Sequence, residues 1–210
     1  MNIGKGIDHL VYAVPDFEEG LDLIENLLGV RPSPGGQHPT QGTKNALLNL
    51  GEGCYFEVLA VDESNSEISP PRWMGIDLIH SPILSRWCLK SAQLKKDAAV
   101  LSTYKTALGK VVDGKRRLAN GEMLSWELSL PLSEPAVEIA PFLIDWGNSK
   151  AHPTDNLPEI CKLEKIEFSH PEPEVILPLF QTLQLEVEIK KSDHPAISAW
   201  IQSPKGLVKL

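Results

Sequence analysis

Ile7-Asp8-His9-Leu10-Val11-Tyr12-Ala13-Val14-Pro15-Asp16 is the stretch on which the fold turns. It is apolar and rich in β-formers up to Val14, so it reads as a strand. Pro15-Asp16 breaks that strand and opens a helix. Phe17, Leu21, Ile24 and Leu28 then recur at helical spacing with acidic residues between them, and Gly29 is a natural C-cap. Arg31-Pro32-Ser33-Pro34-Gly35-Gly36 reads as a loop. Two short strands follow, near Asn45–Leu50 and Cys54–Val61, joined by a Gly51-Glu52-Gly53 turn. The order is strand, helix, then two or three strands.

The same order returns twice. Ser85–Ser91 reads as a strand, and Leu94–Leu108 as a helix ending at Gly109. Strands are predicted over Lys110–Arg117, Glu122–Leu130 and Pro141–Trp146, with Asn120-Gly121 as a turn. After a connector over Gly147–Pro158, Lys162–Ser169 reads as a strand and Glu172–Leu183 as a helix. Leu185–Ile189, Ala196–Gln202 and Leu207–Leu210 complete the third unit as strands. Laying His9 over Lys165 places Pro15 on Pro171, Asp16 on Glu172 and Gly53 on Gly206, a weak internal repeat. No single unit covers both faces of its own sheet, so the units are expected to pack together.

Bulk properties narrow the functional classes. The 210 residues carry a net charge of -8, and a basic face for nucleic acid or for an anionic membrane is not in sight. Lys115-Arg116-Arg117 reads as a solvated strand end. No apolar run approaches the roughly 20 residues that span a bilayer, and the start of the chain has no signal-peptide core. Cys54, Cys88 and Cys161 are far apart and odd in number, which suits buried thiols in a reducing cytoplasm better than disulfides or a zinc cluster. Serine-hydrolase elbows, P-loops and dinucleotide fingerprints are missing from the sequence.

Several segments together resemble the vicinal oxygen chelate superfamily (the glyoxalase, bleomycin-resistance and dihydroxybiphenyl dioxygenase group), in a glyoxalase-like branch. They are Ile7–Asp16, Gly36–Asn45, Tyr55-Phe56-Glu57-Val58-Leu59, Arg72–Asp77, Pro141–Trp146 and His152-Pro153. The resemblance covers residues 5–155, as two units at about 5–62 and 84–147. Residues 160–210 match as a C-terminal half module. It implies an α+β fold of tandem βαβββ modules whose curved mixed sheets form a cup. It also implies a divalent metal that chelates two neighbouring substrate oxygens, held by His or Gln on a first strand and Glu on a last strand.

His9 and Glu57 fall on those positions. Strand alternation supports this separately, because His9, Val11 and Ala13 share one face, as do Tyr55, Glu57 and Leu59. The second unit offers Trp87 and Cys88 on its opening strand and apolar Leu143 on its last; the third offers Lys165 and Leu210. A four-ligand pattern is thus broken, which speaks against lactoylglutathione lyase. His38, after Gly35-Gly36-Gln37, would complete a two-His, one-carboxylate set that suits Fe, Mn, Zn or Ni.

Blander roles stand beside these. His9 is equally a hydrogen-bonded strand residue, Glu57 a solvent-facing residue or a proton-transferring base, and His38 a turn cap. Asn45 is a turn residue or a group that binds substrate. Arg72 and Trp73 clamp a ligand or anchor the linker between units. Glu127 can face either way, and Asp145 reads as a turn cap. Two functions follow: a cytoplasmic metal-dependent lyase, isomerase or dioxygenase for a small oxygen-rich metabolite, or a metal-free small-molecule-binding protein. A homodimer fits either, because superfamily modules pair across dimers.

Overall fold

Asp16 decides where the first helix begins. Its carboxylate accepts from the Glu19 N–H at 2.9 Å. Gly29 ends the helix at φ 76°, a left-handed conformation that suits glycine, and its N–H donates to the Glu25 carbonyl at 2.8 Å. Between these caps, Gly20, Leu21, Ile24 and Leu28 are buried along one face of α1 (Phe17–Leu28). Each such Leu or Ile contributes about 1.5–3 kcal/mol by leaving water.

The chain is seen in a computed structural model that describes residues 6–117, 123–147, 149 and 151–210. The expected Asn120-Gly121 turn and the N-terminal Met1–Lys5 lie outside the described residues. The first module runs β1 (Ile7–Ala13), α1, β2 (Ser33–His38), β3 (Thr43–Asn49) and β4 (Tyr55–Val61). The second runs β5 (Ile83–Lys90), α2 (Leu94–Tyr104), β6 (Val111–Arg117), β7 (Met123–Ser129) and β8 (Phe142–Asp145). In each, the first strand lies parallel to the last, and the other two follow antiparallel. The modules join through antiparallel β1 and β5, giving one sheet in the order β2-β3-β4-β1-β5-β8-β7-β6.

That sheet curls into a cup. Its two end strands meet: a Cβ added to Gly35 on β2 would lie 2.9 Å from a guanidinium nitrogen of Arg116 on β6. The fold is therefore the expected α+β cup of tandem βαβββ modules. One local difference matters. Arg31–Gly36, expected as a loop, contributes most of β2, which runs from Ser33 to His38 with a register shift between Pro34 and Gly36. Proline and glycine hide its period, and the bulge breaks the alternation.

The convex face carries the main core. Leu10, Tyr12, Phe56, Val58, Trp87, Leu89 and Leu143 point there, against α1, α2 and the third unit. That unit comprises β9 (Lys162–His170), α3 (Pro173–Thr182), β10 (Ile189–Lys191), β11 (Ala196–Ser203) and β12 (Gly206–Lys209), in sheet order β10-β9-β11-β12. It repeats the order of elements with a different pairing: β9 lies parallel to β10, the strand just after its helix. Its Phe168 and Phe180 pack on Trp87, with ring centroids 4.6 and 6.0 Å away. Among the described residues, no helix is long and apolar enough to cross a membrane. The concave face is left for the site.

Candidate functional site

Strand parity brings the polar groups together. His9 on β1 and Glu57 on β4 face the same side of adjacent parallel strands. His9 Nε2 lies 3.7 Å from Glu57 Oε2, and both residues are buried. Each is also held from behind. The Asp8 carboxylate meets His9 Nδ1 at 2.7 Å, while Asn45 Nδ2 donates to Glu57 Oε1 at 2.5 Å. With Nδ1 donating to Asp8, the Nε2 lone pair is turned towards Glu57. His38, at the end of β2, stands 3.0 Å from Thr43 Oγ1, which also accepts from Trp73 Nε1 at 3.1 Å.

These groups line one cavity of about 30 Å³, enough for an ion and a water or a few substrate atoms. Its polar lining is His9, His38, Asn45, Glu57 and Arg116. Tyr55, Trp73, Trp126, Phe142 and Trp146 form its aromatic walls. His9 stacks on Tyr55 at 4.5 Å, and Phe142 meets it edge-on at 5.2 Å. Through Trp126 and Trp146 the cavity adjoins an open groove of about 930 Å³, on which exposed Glu127 lies.

The electrostatics follow from burial. Burial drives the His38 imidazole down to about 4, so it is neutral near pH 7 and keeps a free lone pair. Burial would raise the Asp8 carboxyl, but hydrogen bonds from His152, His9 and Trp146 outweigh it and hold the group well below the usual carboxylate range. Burial pushes the Tyr55 phenol and the Cys88 thiol well above their ordinary values, so both stay protonated. Asp8, His9 and Cys88 have donor atoms within 4.8 Å of one another. Yet Asp8 Oδ1 is engaged by His9, and Oδ2 by Trp146 at 2.8 Å and His152 at 3.3 Å. That group is a hydrogen-bonded brace behind His9.

Of the residues singled out in the sequence, His9, His38, Asn45, Glu57 and Trp73 meet at the cavity. Arg72 does not line it. Its guanidinium donates to Asp77 at 2.6 Å and to the Ile68 carbonyl at 2.7 Å, which fastens the segment between the modules. Asp145 caps a turn, accepting from the Gly147 N–H at 2.7 Å. Two expectations change. Arg116, read as part of a solvated strand end, is buried and lines the cavity; β6 alternates, turning Lys115 out and Arg116 in. The second module's counterpart of Glu57 is Ile144, not Leu143. Cys88 stands opposite Phe142 as His9 stands opposite Tyr55, so Ile144 takes the place of Glu57 while Leu143 points to the convex core. The contact of His152 with Asp8, behind His9, was invisible in the sequence, because it spans 144 residues.

One family model and one solved structure agree with this architecture. The model of the Glyoxalase-like domain matches residues 7–184. No curated protein matches the chain. A hypothetical protein from Staphylococcus aureus aligns with a TM-score of 0.63 at 14% identity, covering 97% of this chain and 83% of its own. A methylmalonyl-CoA epimerase from Mycobacterium tuberculosis aligns with a TM-score of 0.40 at 18% identity, covering 67% of this chain and 87% of its own. A Streptomyces coelicolor methylmalonyl-CoA epimerase variant in complex with 2-nitronate-propionyl-CoA gives 0.42 at 17%, covering 70% and 96%. The staphylococcal likeness is one of fold. With the family model spanning both modules and reaching into the third unit, the chain belongs to the Glyoxalase-like domain family.

Proposed function

We propose that the protein is a divalent-metal-dependent lyase, isomerase or dioxygenase acting on a small oxygen-rich metabolite. The observation that carries this reading is the His9–Glu57 pair: Nε2 and Oε2 are 3.7 Å apart, aimed at one another and braced from behind. Ligands about 2.1 Å from one tetrahedral ion stand about 3.4 Å apart, so the spacing fits. The donor chemistry fits as well, with His38 kept neutral by burial and the Asp8 carboxylate fixing the ring of His9. His9 and Glu57 would hold the ion; His38 lines the same cavity, but its donor atoms do not lie within 4.8 Å of both others, so it would join as third ligand only by turning towards them. The ion's charge would polarise two neighbouring substrate oxygens when it is bound.

The remaining residues supply orientation and dryness. Asn45 fixes one oxygen of Glu57 and leaves the other facing the cavity. If Glu57 stays off the ion, that oxygen is placed to take a proton from substrate. Tyr55, Trp73, Trp126, Phe142 and Trp146 keep water out, which strengthens every charge interaction inside. Three free thiols, all buried, suit a cytoplasmic setting.

A second reading is metal-free binding of a small molecule, favoured by the apolar Phe142 and Ile144 in the second module. Elemental analysis of protein purified without chelator separates the two. The wild type is expected to carry about one divalent ion per chain, and His9→Ala and Glu57→Ala to carry background levels. If the wild type carries no more than the variants, and added Mn(II), Fe(II), Zn(II) or Ni(II) leaves its Tm unchanged, the binding reading replaces the enzyme reading.

A further inference from the structure

Arg116 is the group in the cavity for which the fold provides too little. Its side chain is buried, and its guanidinium makes one long contact, donating to Asn45 Oδ1 at 3.4 Å. Its Nε is buried without a hydrogen-bond partner, and no carboxylate among the described residues forms an ion pair with it. Burying a guanidinium in this state is costly; Arg86, also deeply buried and also with an unpaired Nε, donates through its other nitrogens to four backbone carbonyls. Arg116 shares its cavity with His9, His38 and Glu57.

We infer that Arg116 is the anchor for a substrate carboxylate, and that the substrate is a small acid bearing an oxygen on the carbon next to that carboxylate. The inference rests on the metal reading above and adds the chemistry of the ligand. A planar fork of N–H donors matches a carboxylate in two-point contact. The neighbouring oxygen then falls towards the His9–Glu57 end of the same cavity. Charge balance points the same way. Arg116 is a buried guanidinium with one long contact and no carboxylate ion pair among the described residues, so its charge is left for the ligand. The small volume and aromatic walls limit the acid to a few heavy atoms inside the cavity, with any larger part in the groove beyond Trp126 and Trp146.

The test compares pyruvate with diacetyl, its uncharged analogue of nearly the same shape. Affinities are measured by calorimetry on wild type and Arg116→Gln, with metal content determined on the same samples. The expected result is pyruvate binding to wild type, weakened roughly ten- to hundred-fold in Arg116→Gln, with diacetyl affinity and metal content unchanged. Arg116→Lys, which keeps the charge and loses the fork, should fall between. Arg116→Met checks the fold: removing a buried charge without a counter-ion should leave Tm equal or higher. Equal pyruvate affinity in wild type and Arg116→Gln overturns the inference, as does an equal loss of pyruvate and diacetyl, or no pyruvate binding by wild type. If wild type carries no metal, the metal reading fails, and the same pyruvate comparison on metal-free protein still decides the role of Arg116.

Discussion

In the first module His9 stands across from Tyr55, with Glu57 two residues farther along β4; in the second Cys88 stands across from Phe142, with Ile144 two residues farther along β8. The correspondence continues outward. Asn45 pairs with Gly36 and Trp126 with Gly114, and two residues beyond those glycines come His38 and Arg116. One strand plan thus presents the same positions twice. The first module fills them with donor groups, and the second with a thiol, two aromatic rings, an aliphatic chain and one guanidinium. A cup of paired modules needs its reactive groups on one side only, provided the other side supplies a dry wall and a counter-charge for the ligand.

The comparison breaks most visibly if a wall residue turns out to be a ligand support. Phe142 is almost fully buried and packs edge-on against His9. Phe142→Ala is expected to cost about 3–5 kcal/mol in denaturant unfolding, with metal content per folded chain unchanged. Glu57→Ala should do the reverse, losing the metal at a smaller cost in metal-free stability. A Phe142→Ala protein that is as stable as wild type but free of metal would end the division between donor half and wall half.

His38 and Arg116 occupy matching positions but differ in charge, and pH reads that difference. The folded His38 pKa of about 4 lies below the ordinary 6.5. Between these values the unfolded chain binds a proton that the folded chain refuses. Stability should therefore be flat above pH 6.5 and fall as pH drops towards 4. The size is up to about 3 kcal/mol. Urea midpoints across this window for metal-free wild type and His38→Gln measure it, and the variant should lose the slope assigned to His38. Parallel curves for the two proteins would mean that His38 is more hydrated than its burial implies.

The fold was legible where period and punctuation agreed, as in β1, α1 and β4, where Asp16 and Gly29 mark the helix and parity places His9 beside Glu57. It was less legible where glycine and proline suppress the pattern. The place of His38 at the end of a strand has no signal in the sequence, because Pro34, Gly35 and Gly36 before it disguise that strand and its bulge. Arg116 was hidden by its neighbours Lys115 and Arg117, since a charge run looks solvated until the strand's facing is known. Gly114 held the missing signal: it pairs with Trp126, and a side chain there would collide with the indole, so that side of β6 faces inward. The contact between Asp8 and His152 had no local signal, because the start of β1 and the segment after β8 meet only once both modules are closed.

The finest test of the comparison lies where the modules touch at the cup's open seam. Gly35 sits at the β2 bulge, and a Cβ there would lie 2.3 Å from Asn45 Oδ1 and 2.9 Å from an Arg116 guanidinium nitrogen. The glycine makes room for the chain of contacts from Arg116 through Asn45 to Glu57, which ties the wall half to the donor half. Gly35→Ala must push Asn45 or Arg116 aside. Overpacking of this kind typically costs about 1–3 kcal/mol. Much of that should be recovered here, because the displaced ends are side chains that can rotate, so a loss near 1 kcal/mol is expected. The larger effect should be on the site: Asn45 Nδ2 leaves Glu57 Oε1, and the carboxylate is freed to turn. Metal affinity is then expected to fall roughly tenfold, the low end of the cost of removing a group that orients a ligand. Gly35→Ala combined with Asn45→Ala removes the closer clash and leaves only the flexible end of Arg116 to shift, so unfolding should return towards the value of Asn45→Ala alone while metal affinity stays low. If the double variant instead recovers full metal affinity, Asn45 does not orient Glu57, and the contact across the seam is packing alone.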